Sequence, residues 1–293
     1  MQVLVTGGAG FVGTNLIKRL LEDGHKVVSL DNYTTGKKEN EIKQKGVQYF
    51  DVDLVQTDNY DFFMDKPDVI YHLAAIARIQ PSFQHPVFTH HSNVTTTLNL
   101  LEWARGKECP VVYAGSSSSN GDKFANPYTL SKSQGEQLVE LYNKVYNLPT
   151  TICRFYNVYG PHQLTEGEYC TLIGIFERQY KNDMAFTITG DGEQRRDFTH
   201  VDDIVDGLVK CGDILLTDRG HEFSGETFEL GRGKNYSVNE IAQSFDWPYR
   251  YTGERPGEMR ETLCTDTKAR DLLDWNPEMD VIDFIKENYT RKL

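Results

Sequence analysis

The sequence predicts a doubly wound parallel α/β sheet with a smaller α+β lobe attached. Three observations support this. Short apolar runs alternate with helical patterns through the first half, a glycine-rich turn joins the first run directly to the first helix, and the rhythm changes after Pro161. Runs that are short and apolar throughout suit parallel strands covered by helices on both faces, whereas a strand with one wet face alternates.

In chain order the strand candidates are QVLVT, KVVSLDN, VQYF, VIYHLAA, VVYAG and TICRFYNV. Between the first two, Val12, Leu16 and Leu20, with Ile17 and Leu21, recur at helical spacing, which makes a βαβ unit. Longer amphipathic helices are expected from Pro86 to Arg105 and from Pro127 to Tyr146. Beyond Pro161, glycine, threonine and charge become more frequent and strands shorten. Residues 1–160 with about 197–231 are therefore assigned to the sheet domain, and about 161–196 with 232–293 to the smaller lobe. Ser237-Val238-Asn239-Glu240 fits a capping box at a helix start.

Composition narrows the function. A chain of 293 residues buries enough surface to fold without disulfides or a structural metal. Its 31 basic and 43 acidic side chains leave a net charge of −12, which argues against a nucleic-acid surface while permitting a local basic pocket. No apolar run is long enough to span a membrane and the start lacks a basic n-region, so a cytoplasmic protein is expected. Cys109, Cys153, Cys170, Cys211 and Cys264 are scattered without a C-x-x-C pair and read as free thiols. His85, His90 and His91 have no Cys or carboxylate at ligand spacing and read as a solvated helix face, so no metal is expected. His72, ending an apolar strand, reads as a satisfied core histidine.

Gly7-Gly8-Ala9-Gly10-Phe11-Val12-Gly13 follows a strand and opens a helix. A pyrophosphate needs backbone N–H groups at close range and a helix N-terminus aimed at it, and glycines permit both. Asp31 stands 21 residues after Gly10 at the end of the next strand, placed to accept hydrogen bonds from a ribose diol. Its charge would repel a 2′-phosphate, which favours NAD over NADP, although Lys37 and Lys38 leave the phosphorylated cofactor open.

Tyr128 and Lys132 lie four residues apart, one above the other on a helical face. A neighbouring ammonium favours the phenolate form and equips Tyr128 as a base. Tyr33 and Lys37 repeat the spacing, but Tyr33 falls in the polar stretch after Asp31. Tyr128 instead follows VVYAG, which runs into Ser116-Ser117-Ser118-Ser119, and a hydroxyl at that strand end would bond the same substrate oxygen.

TGGAGFVG, DNYTTG, DVDL, HLAA, AGSSSS, YTLSK, RFYNVYGP, GDGEQRRDFTHVDD and RPGE occur in that order over nearly the whole chain. Together they resemble the extended short-chain dehydrogenase/reductase family and, within it, the NAD-dependent nucleotide-sugar epimerase/dehydratase group. The resemblance implies a Rossmann cofactor domain and a homodimer. It sets Gly7, Gly10, Phe11, Val12 and Gly13 at the pyrophosphate, Asp31, Asn32, Thr35 and Gly36 around the adenosine ribose, and Asp51 and Val52 at adenine. Leu73, Ala74, Ala75, Asn93 and Phe155 would line the remaining cofactor, with Tyr128 at it and Lys132 on the nicotinamide ribose.

For the substrate, the resemblance implies Asn157, Arg196 and Arg255 on a nucleoside diphosphate, with Gln194 and Glu258 beside them and Ser116, Ser117 and Ser118 at the sugar. Tyr128, Lys132 and Ser116 become a catalytic set. The expected reaction is epimerisation of a UDP-hexose at carbon 4 through a 4-keto sugar.

Related dehydratases place an Asp-Glu pair after the active-site Thr, where this chain has Ser117-Ser118, and decarboxylases carry a Glu nearby. Those activities, a reductase, and a non-catalytic NAD-sensing protein remain the alternatives. Only 12 positions separate Ser116 from Tyr128, shorter than the family's usual loop, and Asn120 stands where a Tyr is common.

Overall fold

The computed structural model describes residues 1–289; residues 290–293, the end of the stretch assigned to the smaller lobe, lie outside the described residues. In chain order the strands are β1 (Gln2–Thr6), β2 (Lys26–Asp31), β3 (Val47–Asp51), β4 (Val69–His72), β5 (Val111–Ser116), β6 (Thr150–Phe155), β7 (Asn157–Tyr159), β8 (Phe186–Thr189), β9 (Arg195–His200), β10 (Thr227–Leu230), β11 (Asn235–Ser237) and β12 (Tyr249–Thr252). The helices are α1 (Phe11–Glu22), α2 (Ile79–Gln84), α3 (Pro86–His90), α4 (Thr96–Lys107), α5 (Pro127–Tyr146), α6 (Leu172–Lys181), α7 (Val201–Leu215), α8 (Gly220–Phe223), α9 (Val238–Ser244), α10 (Lys268–Leu273) and α11 (Val281–Tyr289). No helix of the described residues is long and apolar enough to cross a membrane.

Seven strands form one parallel sheet in the order β10-β6-β5-β4-β1-β2-β3. The order reverses at β1, which lies between β2 and β4, so loops leaving β1 and β4 part to opposite sides and open a crevice at their carboxyl ends. Continuously apolar strands predict helices on both faces, and both faces are covered. Leu16 and Ile17 of α1 pack with Val205 and Leu208 of α7 on one. Leu100 and Leu101 of α4 pack with Val139 and Tyr142 of α5 on the other. Ala269, Leu273 and Trp275 join the α1–α7 face although the sequence reading assigned them to the smaller lobe. Trp275 is anchored there by its indole N–H on the Asp203 carbonyl at 2.7 Å.

Small sheets hold the remaining chain: β11-β9-β7, and β12 paired in parallel with β8. Between them lies an aromatic cluster in which Phe176 stacks on Phe186 with centroids 4.3 Å apart, joined by Phe245 and Tyr289. The expected capping box is formed at α9, with Ser237 and Glu240 bonded reciprocally.

The helix expected from Pro86 to Arg105 is interrupted. A π-helical turn, His91–Thr95, joins α3 to α4. Asn93 lies within it, its amide accepting from Ile76 N at 2.7 Å and donating to Ile76 O at 3.0 Å and Ser131 Oγ at 2.9 Å. Widening the turn by one residue sets a buried amide where it clamps the β4–α2 connection to α5.

His72 is the satisfied core histidine expected at the end of β4: Nδ1 meets Thr6 Oγ1 at 2.7 Å and Nε2 meets Thr97 Oγ1 at 3.1 Å. Burial, reinforced by the Lys132 ammonium, pushes the imidazole from 6.5 down to about 3. The unfolded chain binds this proton near pH 6.5 and the folded chain only near pH 3, so stability falls as pH drops through that window. Urea unfolding is expected to show a wild-type loss at pH 5 that exceeds the loss in His72→Gln by about 2 kcal/mol. Equal losses in the two proteins would contradict the assignment.

Candidate active site

A cleft of about 860 Å³ runs along the carboxyl ends of the central strands and under the smaller lobe. At one end the glycine loop turns from β1 into α1. Gly7 has φ 73° and lies so close to the β4 connection that a Cβ would stand 2.9 Å from Ala74 N. A Cβ on Gly13 would stand 2.2 Å from Gly7 O, so the helix meets the loop only because that position is bare. No side chain caps α1, which leaves its first-turn N–H groups to meet an anion in the cleft. The loop fits a pyrophosphate on these grounds.

Asp31, buried at the end of β2, accepts from Ala9 N at 2.9 Å and Tyr33 N at 2.8 Å. Burial raises its carboxyl above the ordinary range while these N–H groups and the nearby Asp51 modify the shift. Each oxygen keeps a lone pair for a ribose hydroxyl. The lysines that kept a 2′-phosphate open are engaged elsewhere: Lys37 faces Glu39 at 3.2 Å and Lys38 lies over the Tyr33 ring at 5.1 Å. Tyr33 itself donates to Glu41 at 2.6 Å, which disposes of its chance spacing to Lys37.

At the centre, Asn126 caps α5 by accepting from Thr129 N at 2.8 Å, and the helix presents one face to the end of β5. Tyr128 Oη donates to Ser116 Oγ at 3.2 Å, and Ser116 Oγ lies 2.9 Å from Ser118 Oγ. One turn on, Lys132 is buried and donates to Ala114 O at 2.6 Å and Tyr113 Oη at 3.0 Å. Burial pulls the ammonium below its ordinary range, against the attraction of Tyr128 and Glu136. Another turn on, Glu136 accepts from Ser116 N at 3.2 Å and Ser119 Oγ at 3.0 Å, and Arg154 holds its second oxygen at 2.8 Å. Arg154 also reaches Glu229 at 3.0 Å and Asn120 at 2.6 Å. Asn120 thus stands in an ion-pair network that pins the short serine turn.

At the far end, Arg196 on β9 lies 3.7 Å from Glu258, and Arg255 lies 3.9 Å from the same carboxylate. Burial lowers the Arg196 guanidinium and Glu258 counters it. Asn157 donates to Asp197 O at 3.2 Å, and Gln194 to Thr189 O at 3.0 Å.

The cleft brings together Gly7, Gly10, Phe11, Val12, Gly13, Asp31, Asn32, Thr35, Val52, Leu73, Ala74 and Ala75 with Ser117, Ser118, Tyr128, Lys132, Phe155, Asn157, Gln194, Arg196, Arg255 and Glu258. Four of the expected residues lie off its wall. Gly36 packs against the Asp31 carboxylate, Asn93 is buried in the π-helical turn, and Asp51 is exposed, with Asp53 lining the cleft instead. Ser116 is buried behind Ser117 and meets the cleft through Tyr128. The sequence reading missed Tyr113, Glu136 and Arg78. Glu136 lies four residues after Lys132, and Arg78 is a lone cation in an apolar stretch just beyond HLAA, so both signals were present.

Residues 3–217 match the NAD dependent epimerase/dehydratase family. The chain belongs to that family. It is 33% identical over 307 residues to the UDP-glucose 4-epimerase of Mycolicibacterium smegmatis, covering 95% of this chain and 94% of that protein. It is 30% identical over 303 residues to UDP-glucuronic acid decarboxylase 4 of Arabidopsis thaliana, covering 95% of this chain and 66% of that protein. The crystal structure of UDP-glucuronic acid 4-epimerase from Bacillus cereus, in complex with UDP-glucuronic acid and NAD, superposes with a TM-score of 0.86 at 28% identity, covering 99% of this chain and 98% of that one. The protein is therefore an NAD-dependent enzyme of nucleotide-sugar interconversion.

Family membership and the glycine loop together predict that Gly13→Ala weakens NAD binding at least about tenfold, or roughly 1.4 kcal/mol. Calorimetric titration checks this, with circular dichroism to confirm folding. Unchanged affinity in a folded variant would refute the close approach.

Proposed function

We propose that the protein is a nucleotide-sugar 4-epimerase acting on a UDP-hexose, with the sheet domain holding the cofactor and the smaller lobe holding the nucleotide. The observation that carries the reading is the hydrogen bond from Tyr128 Oη, on the cleft wall, to the buried Ser116 Oγ, with the Lys132 ammonium fixed one turn below. Phe11, Val12 and Gly13 offer N–H groups to the cofactor pyrophosphate, Asp31 its carboxylate to the ribose, and Lys132 its ammonium to the nicotinamide ribose. NAD, when bound, supplies reversible acceptance of hydrogen with its electron pair from sugar carbon 4.

Tyr128, as phenolate, takes the proton of the 4-hydroxyl, and Ser116, hydrogen-bonded to Tyr128 Oη, orients the phenolic oxygen. The ketone that results turns in the cleft and is reduced on its other face, Tyr128 returning the proton. Throughout, Arg196, Arg255 and Asn157 hold the diphosphate, so binding energy far from carbon 4 keeps the sugar in reach while it moves. Arg forks suit this because several N–H donors meet phosphate oxygens in one plane.

Elimination of water across carbons 5 and 6 needs a second acid/base pair at the end of β5. The carboxylate there, Glu136, is fully engaged with Ser116, Ser119 and Arg154, and the wall carries Ser117 and Ser118. This favours epimerisation over dehydration. Exposed Val87, Phe88, Leu98, Leu141 and Val145 on the neighbouring α3, α4 and α5 support a homodimer in which two such helix layers meet.

The test is interconversion of UDP-glucose and UDP-galactose by the NAD-loaded protein. Tyr128→Phe is expected to retain cofactor and nucleotide-sugar binding while turnover falls by about 10²–10⁴, since only the ionisable oxygen is removed. Near-normal turnover in that variant would count against the assigned base.

A further inference from the structure

Arg78 follows the β4 strand end and lines the cleft. Its Nε donates to Tyr169 O at 2.8 Å, which fixes the guanidinium plane. Among the described residues, neither terminal amino group has a hydrogen-bond acceptor, and no carboxylate lies within ion-pair distance. Arg178 of α6 also lines the cleft without an ion pair among the described residues, whereas the remaining arginines around it have carboxylate partners. Arg154 is held by Glu136 and Glu229, and Arg196 and Arg255 both face Glu258. The segment that Arg78 opens touches both ends of the site: Ser82 Oγ accepts from Tyr128 N at 3.1 Å, and Gln80 Nε2 reaches Glu258 at 3.5 Å. Arg78 therefore stands between the proton-transfer group and the nucleotide anchor, where the sugar must lie.

We propose that Arg78 receives a carboxylate carried by the sugar, so that the substrate is a nucleoside-diphosphate hexuronate and not a neutral hexose. This rests on the 4-epimerase reading and narrows its substrate. A half-buried guanidinium with two unmatched amino groups and no carboxylate beside it carries an uncompensated charge into the cleft, and hydroxyl groups of a neutral sugar supply no countercharge. A carboxylate matches the free fork of the guanidinium in shape and charge. The two diphosphates in the cleft already have donors of their own, the α1 N-terminus for the cofactor and Arg196 with Arg255 for the substrate. Ser117 and Ser118 on the facing wall add hydroxyl donors.

Calorimetric titration of the NAD-loaded protein with UDP, UDP-glucose and UDP-glucuronate tests the proposal. The wild type is expected to bind UDP-glucuronate about 10- to 100-fold tighter than UDP-glucose, the size of one charge-assisted pair. Arg78→Gln should erase that preference, and Arg78→Lys should restore part of it. Equal affinity of the wild type for the two sugars overturns the proposal without recourse to a variant. So does a loss in Arg78→Gln that is as large for UDP alone, which would put the guanidinium on the diphosphate, or a loss confined to NAD. The interconversion assay separates this inference from the one beneath it. Preference for the hexuronate without interconversion of either sugar supports Arg78 and removes the epimerase reading, whereas interconversion of UDP-glucose without that preference does the reverse.

Discussion

A buried ammonium sets the terms for the rest of the site. Lys132 lies in the interior with a backbone carbonyl, a phenolic oxygen and the face of Tyr113 around it, the ring centroid 4.4 Å from Nζ. An ion so placed is tolerable only where each N–H meets an acceptor and the remaining charge has a use. Ala114 lies just beyond the last β4–β5 pair, His72 with Tyr113, so Lys132 arrives where β4 has ended and the carbonyl can accept from it. The helix therefore cannot slide along the strand without stranding the charge. Tyr128 one turn before Lys132 and Glu136 one turn after inherit this register, since residues four apart share a helical face. One turn thus carries the phenol into the cleft, and the other carries a carboxylate to the backbone of Ser116.

Sheet topology explains why these groups meet a cofactor. Parallel strands deliver all their carboxyl ends to one side, and the reversal at β1 opens a gap there. The glycine loop closes one wall of the gap, Asp31 stands at the next strand, and the Ser116 turn ends a strand on the other side of β4. Close approach needs missing side chains at Gly7 and Gly13, whereas specificity for the ribose needs a charge held still, and two backbone N–H groups hold Asp31.

Much of this was legible in the sequence, because the signals were periodic or local. Unbroken apolar runs gave parallel strands, the four-residue spacing gave the shared face of Tyr128 and Lys132, and Ser237 with Glu240 marked the start of α9. What stayed hidden was tertiary. Nothing near Asn93 announces a π-helical turn, because the turn exists to satisfy Ile76 and Ser131, which are distant in the chain. Residues 269–275 look like lobe because they follow lobe, yet Trp275 fills the sheet core. Asn120 stood out in the sequence only as a residue where a Tyr is common, and its partners Arg154 and Glu229 lie 34 and 109 positions away. Asp51 ends β3 and is exposed, whereas Val52 and Asp53, where the chain leaves the strand, line the cleft, a change of direction that no local pattern announces.

Strand alternation builds the nucleotide end. On β9, Arg196 faces the cleft and Asp197 faces inward, fully buried, accepting from Arg232 N at 2.9 Å, Gly233 N at 2.8 Å and Cys264 N at 3.1 Å. Burial raises this carboxyl above its ordinary range and the three N–H groups hold it down. A single side chain therefore ties the start of the turn after β10, and the segment that follows Arg255 and Glu258, to the strand bearing Arg196. A sugar that must turn while its nucleotide stays put needs the guanidinium donors fixed relative to the β5 end and not merely nearby. Asp197 supplies that rigidity from below, with β10 paired to β6 and β6 to β5, so that the anchor and the proton-transfer group share one hydrogen-bonded frame.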